Sequence, residues 1–164
     1  MKKALSYDDV LLLPQYSNIR SRKEIDISAE LSPNIKLSLP IIASPMDTIS
    51  GFEMAMTLSR HGGLAIIHRY MDIVEQVQLV SDIKKDGNVY VGAAVGTGDD
   101  AVVRAQALIA AGVDVLCIDV AHGHHELVRR TLENIRSKAG ASNTHIMAGN
   151  VATPQAVMDP VSYT

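Results

Sequence analysis

The run YVGAAVGTGDDAVVRAQALIAAGVDVLCIDVAHG, residues 90–123, decides the fold. Residues 90–95 form an apolar, β-rich run, a helix-length stretch follows and stops at Gly112, and residues 115–119 form a second apolar run. Short β-rich runs alternating with helix-length amphipathic stretches call for a parallel sheet wrapped by helices. Working outward, the same unit recurs on both sides. Further strands are expected at 40–44, 64–67 and 145–148, each apolar enough to be buried on both faces.

The intervening helices carry their own punctuation. Ser50 with Glu53 has the spacing of a capping box, and Asp72 with Glu75 resembles it. Gly62-Gly63, Gly87, Gly112 and Gly140 follow helical stretches, where a left-handed residue satisfies the last carbonyls. The fourth helix is expected from about 124 to 138, with Val128, Leu132 and Ile135 inward and Arg129, Arg130 and Glu133 toward water. Thr153-Pro154 opens a fifth helix as N-cap and first-turn proline.

Residues 1–38 do not alternate in this way. They join an apolar run at 10–13 to a polar stretch at 16–30 and are expected to form an arm over one end of the sheet or against a neighbour. Residues 39–157 then read as an α/β unit, the N-terminal five βα units of a (β/α)8 TIM barrel truncated before closure. Eight units close such a barrel, usually in about 250 residues. An open doubly wound sheet is the rival architecture.

Composition narrows the function. With a formal net charge of -3, the chain offers no broad basic field for nucleic acid or an anionic membrane surface. Its apolar runs fall far short of the roughly 18 residues of a membrane span. One cysteine, Cys117, cannot form an internal disulfide and fits a reducing compartment, and no signal core follows the basic start; the expected location is the cytoplasm.

Ligands bind at the C-terminal ends of strands in either architecture, and those ends are polar here. They carry Ser44-Pro45-Met46-Asp47-Thr48, His68-Arg69, Gly96-Thr97-Gly98, Asp119 through His125, and Gly149 through Thr153. Asp119 can accept two hydrogen bonds from ribose hydroxyls, or cap the next helix. Arg69 can meet a phosphate or carboxylate, or stand in solvent. Gly96-Thr97-Gly98 lacks the full dinucleotide spacing and reads as a tight turn. His122, His124 and His125 have no cysteine or carboxylate partner at a recognised zinc spacing, so no metal is expected. Cys117, inside a strand, reads as a small buried hydrophobe.

Taken together, the segments Tyr7-Asp8-Asp9-Val10-Leu11-Leu12-Leu13-Pro14, Ser44-Pro45-Met46-Asp47-Thr48, Gly62-Gly63-Leu64-Ala65-Ile66-Ile67-His68, Asp119-Val120-Ala121-His122-Gly123 and Ala148-Gly149-Asn150-Val151-Ala152-Thr153 resemble the catalytic barrel of the IMP dehydrogenase and GMP reductase family. The resemblance implies a barrel that holds a purine nucleoside monophosphate, GMP or IMP, beside NADP or NAD and moves hydride at purine C2. It places Ser44 and Met46 against the nucleotide, Asp119, Val120 and Ala121 at the nicotinamide riboside, and Asn150 between the ligands. Arg69 joins the cofactor side, and Ser21-Arg22 resembles a reductase arm that reaches a neighbouring subunit's cofactor, which implies a homo-oligomer, a tetramer when complete.

Two family activities compete. IMP dehydrogenases usually insert regulatory domains between the second helix and third strand, where this chain has only Lys84-Lys85-Asp86-Gly87-Asn88. That feature favours GMP reductase, although reductases carry lysine where this chain has Arg69, and His122-Gly123-His124 is closer to the dehydrogenase pattern. Residues 158–164 depart from the family pattern, and the family's catalytic cysteine loop does not occur in the 164 residues. No catalytic residue is therefore assigned, and the chain alone is expected to be inactive: a fragment of the enzyme, or a non-catalytic truncated paralogue that assembles with full-length subunits.

Overall fold

A computed structural model describes residues 5–87, 89–140 and 143–161. Two 3-10 turns, Tyr7–Asp9 and Arg22–Glu24, precede an antiparallel hairpin of β1 (Ala29–Ser32) and β2 (Ile35–Leu37). Then β3 (Ile42–Ala43), α1 (Phe52–Arg60), β4 (Leu64–Ile67), α2 (Ile73–Lys84), β5 (Gly92–Val95), α3 (Ala101–Ala110), β6 (Val115–Ile118), α4 (Glu126–Lys138), β7 (His145–Ala148) and α5 (Pro154–Val161) alternate without exception. All five expected strands form.

Strands β3 to β7 make one parallel sheet in sequential order. That order decides between the two architectures, because a doubly wound sheet reverses its strand order at a switch point and a barrel never does. The sheet is the α/β arrangement of a partial TIM barrel, open between β3 and β7 among the described residues.

Side-chain alternation along each strand separates two cores. Ala65, Ile67, Ala93, Val95, Leu116 and Ile118 point outward and pack on Val80, Ile83, Leu108, Leu132 and Ile135 of the helices. Leu64, Ile66, Ala94 and Val115 point inward and are capped by Ile35 and Leu37 of the hairpin. The hairpin, which lies within residues 1–38 where no strand is expected, therefore covers the inner face. Leu11 and Leu12, by contrast, are 97% and 99% exposed, so that part of the arm does not pack on the described residues.

Local signals held with two corrections. Gly112 and Gly140 take φ of +87° and +69° after α3 and α4, as expected of helix stops, and so do Gly62 and Gly87 after α1 and α2. Asp72 caps α2 by accepting from the Glu75 amide at 2.8 Å. Ser50, however, does not cap α1. It is fully buried, its hydroxyl donates to the Ser44 carbonyl, and Gly51 takes the cap position with no side chain. Likewise α4 starts at Glu126 rather than 124, because the His125 ring accepts from the Leu127 amide at 3.1 Å and holds the cap itself.

Candidate functional site at the C-terminal strand ends

The inward register of β6 runs Val115, Cys117, Asp119, so the Asp119 carboxylate emerges on the inner face at the rim. Its amide donates to the Val95 carbonyl at 2.9 Å, which extends the β5–β6 ladder by one residue. Asp119 is not the cap of α4, since His125 fills that place. From the end of β4, Arg69 reaches across β5 and sets its Nε 3.6 Å from Asp119 Oδ2.

Gly96 gives that reach room. A Cβ there would sit 3.3 Å from Arg69 Nη1 and 3.4 Å from Cζ, tighter than side chains normally pack. The glycine therefore serves as the floor under a guanidinium, in addition to the turn its spacing suggested. Tyr70 flanks the same group, with Arg69 Cζ 5.3 Å from its ring centroid. Arg69 Nε is buried and has no hydrogen-bond acceptor among the described residues, because 3.6 Å is an ion-pair distance and not a hydrogen bond. The Asp119 oxygens accept no hydrogen bond among the described residues. One unsatisfied donor and one carboxylate with free lone pairs, both only about a third exposed, thus face a common space.

Beside them the next two rim loops are fused. Asn150 adopts φ +58°, uncommon for a residue with a side chain, and its Nδ2 donates to the Val120 carbonyl at 2.6 Å. The Gly123 amide donates back to the Asn150 carbonyl at 2.9 Å. Asp119, Val120, Ala121 and Asn150 are brought together in this way. Ser44 and Met46 stand exposed on the β3 end of the rim. Ser21 and Arg22 lie in an exposed turn whose hydrogen bonds run to Lys23, Glu24 and Ile25, and the structure does not bring them to the rim of their own chain.

Cys117 lies two residues before Asp119 in the same inward register. Burial first, and the Asp119 charge second, push its thiol up to about 11, the opposite of an activated nucleophile. His124 and His125 are engaged separately: His124 Nε2 meets Asp159 Oδ2 at 2.8 Å, His125 caps α4, and among the described residues no group of three or more metal-ligating side chains forms.

A family model described as IMP dehydrogenase / GMP reductase domain matches residues 4–163. The chain belongs to the IMP dehydrogenase / GMP reductase family. Among its relatives, an inosine-5'-monophosphate dehydrogenase of Cryptosporidium parvum is 33% identical over 199 residues, covering 96% of this chain and 48% of the relative. A GMP reductase of Leptothrix cholodnii is 32% identical over 93% of this chain and 46% of its own length. A GMP reductase of Leishmania donovani is 47% identical over 85 residues, 52% of this chain and 17% of that protein. This family member thus spans about half the length of the first and second of these relatives.

Sequence reading missed one buried polar cluster of this family member. Gln76 and Arg104, fully and nearly fully buried, join the ends of β4 and β5 from the helix side. A signal was present: Ile73, Gln76, Val80 and Ile83 share the inward spacing of α2, as Ala101, Arg104, Ala105 and Leu108 do on α3.

Proposed function

We propose that this chain supplies the first half of the ligand rim of a nicotinamide-dependent oxidoreductase acting at C2 of a purine nucleoside monophosphate, with GMP reductase favoured over IMP dehydrogenase. The observation that carries the proposal is the Arg69–Gly96–Asp119 arrangement on the inner face. A carboxylate with free lone pairs suits vicinal ribose hydroxyls, and an Nε–H lacking an acceptor suits a ligand oxygen. These groups fit the riboside part of NADP or NAD. When bound, that cofactor supplies the hydride acceptor or donor. The protein's own part is to orient it: Asp119 holds the ribose, Arg69 fixes the carboxylate, and the Asn150–Val120 clasp keeps the neighbouring turn in place. Ser44 and Met46 are assigned to the purine nucleotide.

The reductase reading is supported by the direct link from α2 to β5, which leaves only a short turn where family dehydrogenases insert regulatory domains. Assembly into a homo-oligomer is supported by the exposed Leu11 and Leu12, which have no cover among the described residues, and a cytoplasmic location by the single cysteine, which fits a reducing compartment. Cys117 is the only thiol, and it is unsuited to attack, so the 164 residues should show no turnover of GMP or IMP. Calorimetric titration with NADPH and NADH tests the reading: Asp119→Ala should weaken dinucleotide binding about tenfold or more, the loss of hydrogen bonds to a charged group. Equal affinity in parent and variant would remove Asp119 from the site.

A further inference from the structure

Arg104 is 8% exposed and Gln76 0%, an unusual pair to bury between two helices and a sheet. Each of their polar groups is used. Gln76 Nε2 donates to the Ala94 carbonyl at 2.9 Å, to His68 at 3.1 Å and to Ile67 at 3.4 Å, so one amide ties the last residues of β4 and β5 together. Its Oε1 accepts from Arg104 Nη1 at 2.9 Å. Arg104 also donates to the Met71 carbonyl at 3.3 Å from both Nη1 and Nη2, while Nε meets Asp100 at 3.0 Å.

Burying a guanidinium is a poor way to gain stability, because well-packed apolar side chains of the same volume often serve as well or better. What the network does fix is position. His68 and Met71 bracket Arg69 in the chain, so pinning both carbonyls fixes the backbone from which Arg69 extends. Ala94 lies two residues before Gly96, so the same amide fixes the floor on which the guanidinium rests. The bonds therefore set both partners of one contact, Arg69 above and Gly96 below.

We infer that Gln76 and Arg104 are positioning residues for the ligand rim, holding Arg69 over Gly96 and toward Asp119 from the opposite side of the sheet. The inference rests on the proposed rim function for its consequence in binding, and on geometry alone for its structural part.

The two parts are tested separately on the full 164-residue chain. Without ligand, the Arg69 Nε–H resonance, assigned by its loss in Arg69→Lys, should move in Arg104→Met. The Nε–H of Arg60, which bonds Asp86 at 3.2 Å, should stay and serves as the internal control. An unmoved Arg69 signal, or equal movement of both, overturns the inference. If Arg104→Met does not fold, Gln76→Met is read in the same way, since it frees the three carbonyls while leaving Arg104 on Met71 and Asp100. With NADPH as probe, Arg104→Met should weaken binding about tenfold, the size of one lost charge-assisted hydrogen bond, but should cost nothing further in the Arg69→Ala background. A full additional loss in that background would mean Arg104 acts other than through Arg69 and would overturn the inference. If the parent fails to bind NADPH, the functional reading falls, and the Arg69 resonance still decides the positioning role.

Discussion

Gly123→Ala is a single-methyl test of how the rim is built. A Cβ at 123 would lie 1.7 Å from the Gly149 carbonyl oxygen and 2.8 Å from its carbon, and both are backbone atoms that cannot rotate away. Restoring an ordinary contact of about 3.5 Å requires the two loops to part by nearly 2 Å. That displacement breaks the Gly123 amide bond to Asn150 and pulls the Asn150 side chain off Val120. Two hydrogen bonds at about 1 kcal/mol each, plus overpacking of about 1 to 3 kcal/mol, give a loss of roughly 3 to 5 kcal/mol. For a chain of this size that is a fall in melting temperature of roughly 6 to 20 °C. Thermal unfolding followed by circular dichroism measures it. A variant melting within about 2 °C of the parent would show that the loops part without cost and refute the fused-rim account.

Other perturbations follow from the same contacts. Asp114 accepts from Lys84 Nζ at 2.9 Å and from the Val91 amide at 2.8 Å, so Asp114→Ala leaves the Val91 amide without its acceptor and Lys84 with the Val89 carbonyl alone, and should cost roughly 2 to 3 kcal/mol in a denaturant melt. Cys117, with its thiol near 11 against an ordinary 9.0, holds about 100-fold less thiolate near neutral pH, and iodoacetamide should label it far more slowly than a free thiol, with urea restoring the rate. Hydrogen bonds from Arg129 and Arg130 hold Glu126 at about 2, below its ordinary 4.5. Because the folded value is the lower one, this contribution is complete above about pH 4.5 and fades as pH falls toward 2. Glu126→Gln should therefore narrow the stability difference between pH 6 and pH 2.5 in parallel thermal melts.

The strands were legible because burial on both faces demands continuous apolar runs, and 64–67 and 115–118 leave no other reading. The hairpin was not, because only Ile35 and Leu37 of its seven strand residues are fully buried and the turn carries no strong signature. Ser50 misled because a capping sequence and a buried hydroxyl look alike until the acceptor is known, here the Ser44 carbonyl. Asp119 and Arg69 could each be singled out as polar residues at strand ends. Their pairing could not, since they stand fifty residues apart and meet only through the order β4, β5, β6 and the missing side chain at Gly96. The Gln76–Arg104 network escaped for a related reason. A glutamine or arginine in a helix ordinarily faces water, and only the inward spacing of its neighbours says otherwise.

Amide chemical-shift mapping of the isotope-labelled chain with NADPH and NADH measures the central claim most directly. The account predicts saturable shifts at Arg69, Gly96, Asp119, Ala121 and Asn150, with a midpoint about tenfold or more higher in Asp119→Ala. Shifts confined to the groove that Val128, Leu132, Ala156 and Val157 line between α4 and α5, or none at millimolar dinucleotide, would contradict it.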